Sequence, residues 1–416
     1  MPMLPLRFSH GQRVLRMSLW AVALGGALAV VSCDQLTTVA PPDGDVFDAP
    51  VEGLSDAEMA AFARGDAEFE RQFAPNTGLG PIFNDVSCAT CHSGDGRGQL
   101  RNALTRIGDE SNGFLSDVGG PQIQDKAIPG AHPERVPDGV SVSVRLPPPV
   151  FGSGLIEAIP EAAILANADA DDADGDGISG RPNFVPAAPF VPETEPAGGA
   201  GMKLGRFGRK AQNAVLLQQV VVAYLQDMGI TSPFLPLENR NPLSPVPIEA
   251  ADNVPDPEVL ESTVQAVTHY IRALAPPEPG AETERRAQGR ELFTQIQCAK
   301  CHVSSFVTGP SPIPALAGRT VTLYSDLLLH DMGDALADNR PDGQATGREW
   351  RTAPLWGLRL MRRFLNGEAL LLHDGRARTV EEAILLHGGE ALASRNAFAQ
   401  LTPAQKAALL DFVESR

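Results

Sequence analysis

The sequence predicts a mainly α fold of two similar units, each a helix, a Cys-x-x-Cys-His motif, long irregular loops and a closing helix. Three observations carry this. Apolar residues recur at helical spacing in several segments. The motif occurs twice, at Cys88–His92 and Cys298–His302, each time just after such a segment. Gly (40) and Pro (36) are plentiful, while aromatic residues make up only 6% of 416. Gly and Pro interrupt periodic structure, so long ordered loops are expected between helices. At 43% hydrophobic the chain can bury sizeable cores, and its length allows two domains.

The elements follow in order. Arg7, Arg13 and Arg16 precede an apolar run, Met17–Val31, too short for an ordinary membrane span. Residues 1–32 therefore read as an export signal. The run ends at Val30-Val31-Ser32-Cys33, which resembles a lipoprotein cleavage and lipidation site. An ordinary signal with a chance cysteine is the other reading. A lipid on Cys33 implies a membrane-anchored protein facing the periplasm. Residues 33–54 are rich in Pro, Gly and Asp and read as a tether.

Ser55-Asp56-Ala57-Glu58 is a capping box. It opens a helix with Met59, Phe62, Phe69 and Phe73 near one face. Residues 93–155 lack periodicity and read as loops. Helical spacing returns at about 206–228 and about 259–274. Pro276-Pro277-Glu278-Pro279-Gly280 then marks a linker, giving an N-terminal domain at 55–276 and a C-terminal domain at 277–416. Gly289, Leu292, Phe293 and Ile296 form the next apolar stripe, with Gly289 placed for close helix crossing. Thr402-Pro403-Ala404-Gln405 is a second capping box, and Leu409, Phe412 and Val413 supply the buried face of the closing helix.

The motifs carry the chemistry. Two cysteines at this spacing reach the two vinyl groups of one haem, and the adjacent histidine reaches the iron. A four-cysteine zinc site and a thioredoxin-like pair are the rivals. Neither explains a histidine after both pairs, which lie over 200 residues apart. The expected cofactors are two covalent haem c groups, on Cys88 and Cys91 and on Cys298 and Cys301, with His92 and His302 as iron ligands. Each unit is then a cytochrome c-like haem domain. The five cysteines are all accounted for when Cys33 is lipidated.

Asp172, Asp174 and Asp176, followed by Gly177, match the first half of an EF-hand loop, whereas Asn183 stands where that loop places Glu. Ca²⁺ and a solvated acidic turn are the two readings. Closely spaced carboxylates favour the cation. The net charge is −17, and removing Arg7, Arg13 and Arg16 with the signal takes it to −20. No basic patch suggests nucleic acid. An acidic surface suits a basic partner such as a small electron-carrier protein, or serves solubility alone.

Seven segments together resemble the bacterial di-haem oxidoreductase family, related to the diheme cytochrome c peroxidases. They are Ser87–Gly98, Gly152–Pro160, Asp174–Arg181, Gly205–Ala211, His330–Gly333, Glu349–Leu358 and Leu372–Glu390. Arg209 stands where members of that family often carry Trp. The resemblance implies an oxidoreductase that reduces H₂O₂ with electrons from a small carrier of the cytochrome c or cupredoxin type. It implies that His387, 14 residues after His373, is the sixth ligand of the second haem. Met332 in the His330-Asp331-Met332-Gly333 loop is the competitor. The resemblance makes the first haem the peroxide site, with Glu157 as distal acid-base, Glu161 as the nearby alternative for that role, and Arg145 stabilising negative charge or a propionate. A salt-bridge role is the alternative for each. An inter-haem tryptophan is expected at Trp350 or Trp356. A pure electron-transfer cytochrome, and an oxidoreductase acting on iron, thiols or protein side chains, stay open.

Overall fold

The capping box at Ser55 forms. Ser55 N–H donates to the Glu58 carboxylate at 2.7 Å, and Ser55 Oγ accepts from Glu58 N–H at 3.3 Å. Helix α1 (Asp56–Glu70) starts there in the computed structural model, which describes residues 46–416 apart from 93, 95, 248–250 and 253. Phe62 and Phe69 are buried on its inner face, but Met59 points outward and is 41% exposed. Helix α2 (Leu216–Met228) starts at 216 rather than 206. Residues 206–213 instead make a tight turn in which Phe207 pairs with Asn213 and Ala211 adopts positive φ. Helix α3 (Glu261–Ala273) buries Val264, Val267 and Ile271, as the spacing requires. Helices α4 (Glu284–Gln295), α5 (Val380–Leu386) and α6 (Pro403–Glu414) follow. The Thr402 capping box forms, with Pro403 at the first helical position.

The duplication lies in how these helices pack. Helix α1 crosses α3, and α4 crosses α6. Each crossing has a glycine at its contact point. A Cβ on Gly65 would lie 2.2 Å from Ala266 O and 2.6 Å from Tyr270 Cβ. A Cβ on Gly289 would lie 2.1 Å from Ala408 O and 2.7 Å from Phe412 Cβ. In both pairs the partner positions are i and i+4 on the closing helix. One turn beyond each glycine stands a phenylalanine, Phe69 or Phe293, which the close crossing places beside the motif histidine.

About 34% of the residues are helical and the sheets are small, so helix is the dominant regular structure amid long irregular stretches. Five antiparallel pairs are present among them, two of which position the site. Strand β1 (Leu104–Ile107) pairs with β2 (Val142–Arg145), and β3 (Leu329–Asp331) with β4 (Glu349–Arg351). Strand β2 lies in a stretch that reads as loop because its faces are inverted. Ser143 and Arg145 point inward, while Val142 and Val144 are exposed.

The described residues, from 46 onward, belong to one compact unit around two apolar cores. The larger core, around α1, α2 and α3, also takes in Phe306, Leu323, Leu328 and Trp356 from beyond residue 277. The smaller core, around α4 and α6, takes in Leu146. Chain from each half thus packs into the other, so the cores do not divide at the 276/277 linker. The signal and Cys33 lie outside the described residues. Among the described residues no helix is long and apolar enough to cross a membrane.

Candidate functional site

One cavity of about 410 Å³ is lined by all six motif side chains: Cys88, Cys91, His92, Cys298, Cys301 and His302. Each histidine is held by its own motif turn. His92 N–H donates to Cys88 O at 2.9 Å, and His302 N–H donates to Cys298 O at 3.0 Å. The His92 ring Nδ1 lies 3.3 Å from Gly96 O, and His302 Nδ1 lies 2.8 Å from Tyr324 O. Burial pushes both imidazoles down to about 4, so both are neutral at pH 7. A carbonyl at Nδ1 fixes the proton there and leaves the Nε2 lone pair for a metal, the usual arrangement of a ligating histidine. Phe69 lies 6.1 Å from the His92 ring, and Phe293 lies 6.1 Å from the His302 ring. Burial raises the Cys91 and Cys301 thiols and pushes Cys298 up to about 12. These are protonated thiols, not the thiolates of nucleophilic or redox catalysis.

His387 shares this pattern. Its Nδ1 lies 2.6 Å from Ala383 O, burial lowers its pKa, and it lines the cavity close enough to His302 to disfavour protonation there. Met332 also lines the cavity, half-buried. His330 is different. Asp326 holds one ring nitrogen at 2.8 Å and Glu390 the other at 2.7 Å. With two carboxylates the ring is an imidazolium, its pKa raised well above the usual range, and it has no lone pair to give.

Four expected roles change. Glu157 does not line the cavity. Its carboxylate is bound by Arg272 at 2.6 Å and accepts from Leu216 N–H at 2.8 Å, so it ties α3 to the start of α2. Held by that buried guanidinium, the carboxylate is a structural tie outside the cavity. Glu161 sits exposed in the first turn of a short helix. Arg145 is paired with Asp338 at 2.8 Å and Asp342 at 2.6 Å in a buried cluster with Lys210 and Arg340. It neutralises protein carboxylates rather than a ligand. In the acidic loop, Asp169, Asp172 and Asp174 gather their oxygens within 4.8 Å, whereas Asp176 pairs with Lys300 at 2.7 Å. Asn183 is turned elsewhere, donating to Lys210 O and Asp342 O. The loop lacks the second half of an EF-hand, and Asp176 docks it onto the second motif.

Sequence reasoning anticipated the two tryptophans but missed Asp227 and three arginines. Asp227, near the end of α2, lines the cavity. Burial raises its carboxyl to about 6, against a 2.6 Å hydrogen bond from Gln122 and the charge of Arg106. Trp350 stacks on His373 at 3.8 Å and 6°, with Lys210 Nζ 4.4 Å over its ring. Trp350 and Trp356 are both buried and both line the cavity. Arg97, Arg209 and Arg351 line it too, without carboxylate partners among the described residues. Only the Trp350 and Trp356 positions carried a sequence signal. Asp227 reads as the polar end of a helix, and lone arginines resemble solvated charges.

The fold and site define a class: a chain in which one cavity is lined by two paired-cysteine, histidine-bearing turns, the residue set of two haem-binding motifs. The chain belongs to the family described as "Di-haem oxidoreductase, putative peroxidase", whose model matches residues 30–108 and 131–416. The protein is accordingly a di-haem oxidoreductase. Among solved structures it is similar to the hydrazine synthase of Kuenenia stuttgartiensis pressurised with xenon, at 15% identity and a TM-score of 0.39, covering 92% of this chain and 94% of that one. It is also similar to a MauG-like protein associated with microbial copper homeostasis, at 14% identity and a TM-score of 0.39, covering 91% and 94%. No curated protein matches the chain.

Proposed function

We propose that this protein is an exported di-haem c peroxidase with two unequal haem sites, each in a cytochrome c-like half. Thioethers to Cys88 and Cys91, and to Cys298 and Cys301, hold the haems, and His92 and His302 ligate their irons. When bound, haem iron supplies the redox centre and the binding position for peroxide. The observation that carries the inequality is the pairing of His302 with His387. Both are neutral, both have Nδ1 committed to a backbone carbonyl, and they share one end of the cavity. Two strong ligands make that end an electron-entry site. Met332, in the same lining, is the rival ligand.

Near Cys91 of the first motif the chain offers Asp227, a carboxylate that lines the cavity. H₂O₂, two electrons and two protons give two waters. Asp227, poised at about 6, takes a proton from peroxide and returns it to the departing oxygen. Trp350, between His373 and the Lys210 cation, lines the same cavity as both motifs and suits electron passage. The electrons come from a small carrier protein drawn to the acidic surface, and Cys33 carries the lipid. We also propose Ca²⁺ at Asp169, Asp172 and Asp174. Chelation should then alter the second haem's spectrum through Lys300, and an unchanged spectrum removes the cation from the account.

One observation favours a second reading. Met228 is buried and lines the same cavity as Asp227. Bound to the first iron, it would make both haems six-coordinate and the protein a pure electron carrier. Optical and EPR spectra of the half-reduced protein decide. A high-spin signal that changes on adding H₂O₂ supports the peroxidase. Two low-spin haems indifferent to peroxide would sink it.

A further inference from the structure

We infer that Arg97, Arg209 and Arg351 form a carboxylate-binding subsite for the haem propionates between the two ends of the cavity. The inference rests on the di-haem reading and extends it to residues with no other evident task. All three guanidinium groups line the cavity. Arg97 is only 7% exposed, and its Nε is buried without a hydrogen-bond partner among the described residues. Arg351 Nη1 is likewise buried without a partner. Their remaining contacts go to backbone carbonyls. Arg97 Nη2 donates to Leu372 O, Arg209 to Leu146 O at 2.9 Å, and Arg351 Nε to Gly208 O at 3.2 Å.

None of the three forms an ion pair among the described residues. This contrasts with Arg145, Lys210 and Arg340 nearby, which are matched by Asp338 and Asp342. Arg209 is repelled by Arg97, Arg351 and Arg145, with Asp374 the acid that favours its charge. Buried cations that repel each other are costly unless an anion compensates them. A planar fork with a free N–H suits a carboxylate. Each haem brings two carboxylates on one edge. The backbone brings the arginines together: Arg351 N–H donates to Arg209 O at 3.0 Å, while Arg209 lies near both His92 and His373. This places the subsite between the motifs, beside the Trp350–His373 stack. Positive charge on the propionate edge favours the reduced haem less strongly than direct ligation but in a fixed direction: it raises the reduction potential.

The test uses the haem-loaded protein. Arg97→Gln, Arg209→Gln and Arg351→Gln are titrated spectroelectrochemically, with haem content counted by pyridine haemochrome. At least one haem should become tenfold harder to reduce, about 59 mV for one electron. Arg→Lys variants should keep the midpoint but shift the propionate bending bands in resonance Raman spectra. Arg348→Gln, an exposed arginine paired with Asp331 and Asp334, should change neither. If a Gln variant does not accumulate, its Lys counterpart gives the Raman readout. Two haems with wild-type midpoints and bands in every variant would overturn the arginine subsite and leave the di-haem reading standing. A wild-type protein that binds no haem would overturn both.

Discussion

Asp227→Asn separates proton handling from stability, because the two should move in opposite directions. Burial lifts the Asp227 carboxyl from its ordinary 3.8 to about 6. A raised folded pKa means the contribution to stability is fully present below the unfolded value and is lost as pH rises through about 6. At 1.36 kcal/mol per unit, a shift of about two units makes the ionised form cost about 3 kcal/mol at neutral pH. Asn removes that cost and still accepts from Gln122, but it loses about 1 kcal/mol because the hydrogen bond is no longer charge-assisted. The variant should be more stable than wild type by about 1–2 kcal/mol above pH 7, and no more stable below about pH 4. Its peroxidase rate should fall by about 10²- to 10⁴-fold. The assay is peroxide-dependent oxidation of a reduced small cytochrome between about pH 4.5 and 8, alongside thermal melts. In wild type, kcat/KM should rise through a limb near 6, where Asp227 loses its proton. Persistence of that limb at full rate in the variant would refute the role of Asp227.

Gly65→Ala and Gly289→Ala should each destabilise by about 1–3 kcal/mol, although alanine is the better helix former by about 1 kcal/mol. The added carbon meets backbone carbonyls at 2.2 and 2.1 Å, so a higher melting temperature would disprove the tight crossings. His387→Ala should turn the second haem high-spin while Met332→Ala leaves it low-spin, and the reverse result in EPR would reassign the ligand. Glu238 shares a partly buried cluster with Asp252, Asp256 and Glu258, and burial followed by the Glu258 charge pushes it up to about 10. Its ionisation therefore opposes folding increasingly as pH climbs toward that value. Glu238→Gln should raise the melting temperature by a margin that grows from pH 5 to 8, and a lower melting temperature at pH 8 would contradict this.

How much was legible depended on whether a residue's task was local. Capping boxes at Ser55 and Thr402, the α3 stripe and the glycine at 289 were readable, because helix geometry is written in nearby residues. The motif turns were readable for the same reason. Gly65 was not singled out, though it matches Gly289, because a glycine within a helix declares its partner only when the opposing carbonyl is known. The resemblance cast Glu157 and Arg145 as catalytic groups, and their ion pairs were not visible in the sequence. Their partners, Arg272 and the pair Asp338 and Asp342, lie over 100 residues away in sequence. Strand β2 hid for a physical reason as well: its buried face is polar, so alternation points the wrong way. Asp227 and the three unpaired arginines became visible only through what surrounds them, or fails to.

The two halves repeat the same packing up to the proximal histidine and then diverge, and that divergence is what the chemistry requires. Beside His302, charge is fixed. Asp176 holds Lys300 within the motif itself, Ser179 N–H donates to Glu390 at 3.0 Å, and Glu390 with Asp326 holds His330 as an imidazolium, whose ring lies 3.6 Å from Cys301 Sγ. Acidic loop, ligand-bearing stretch and motif thus share one hydrogen-bonded chain. A site whose charges cannot change protonation near neutral pH holds its potential steady, as an electron-entry site needs. Near Cys91 of the first motif, Asp227 is an acid that does titrate near neutrality, and it sits on a helix rather than in an ion pair. A reaction consuming protons with its electrons needs such a group at one end only. The same helix crossing therefore builds both motif sites, and under the proposed function the charged groups around each motif divide the work between them.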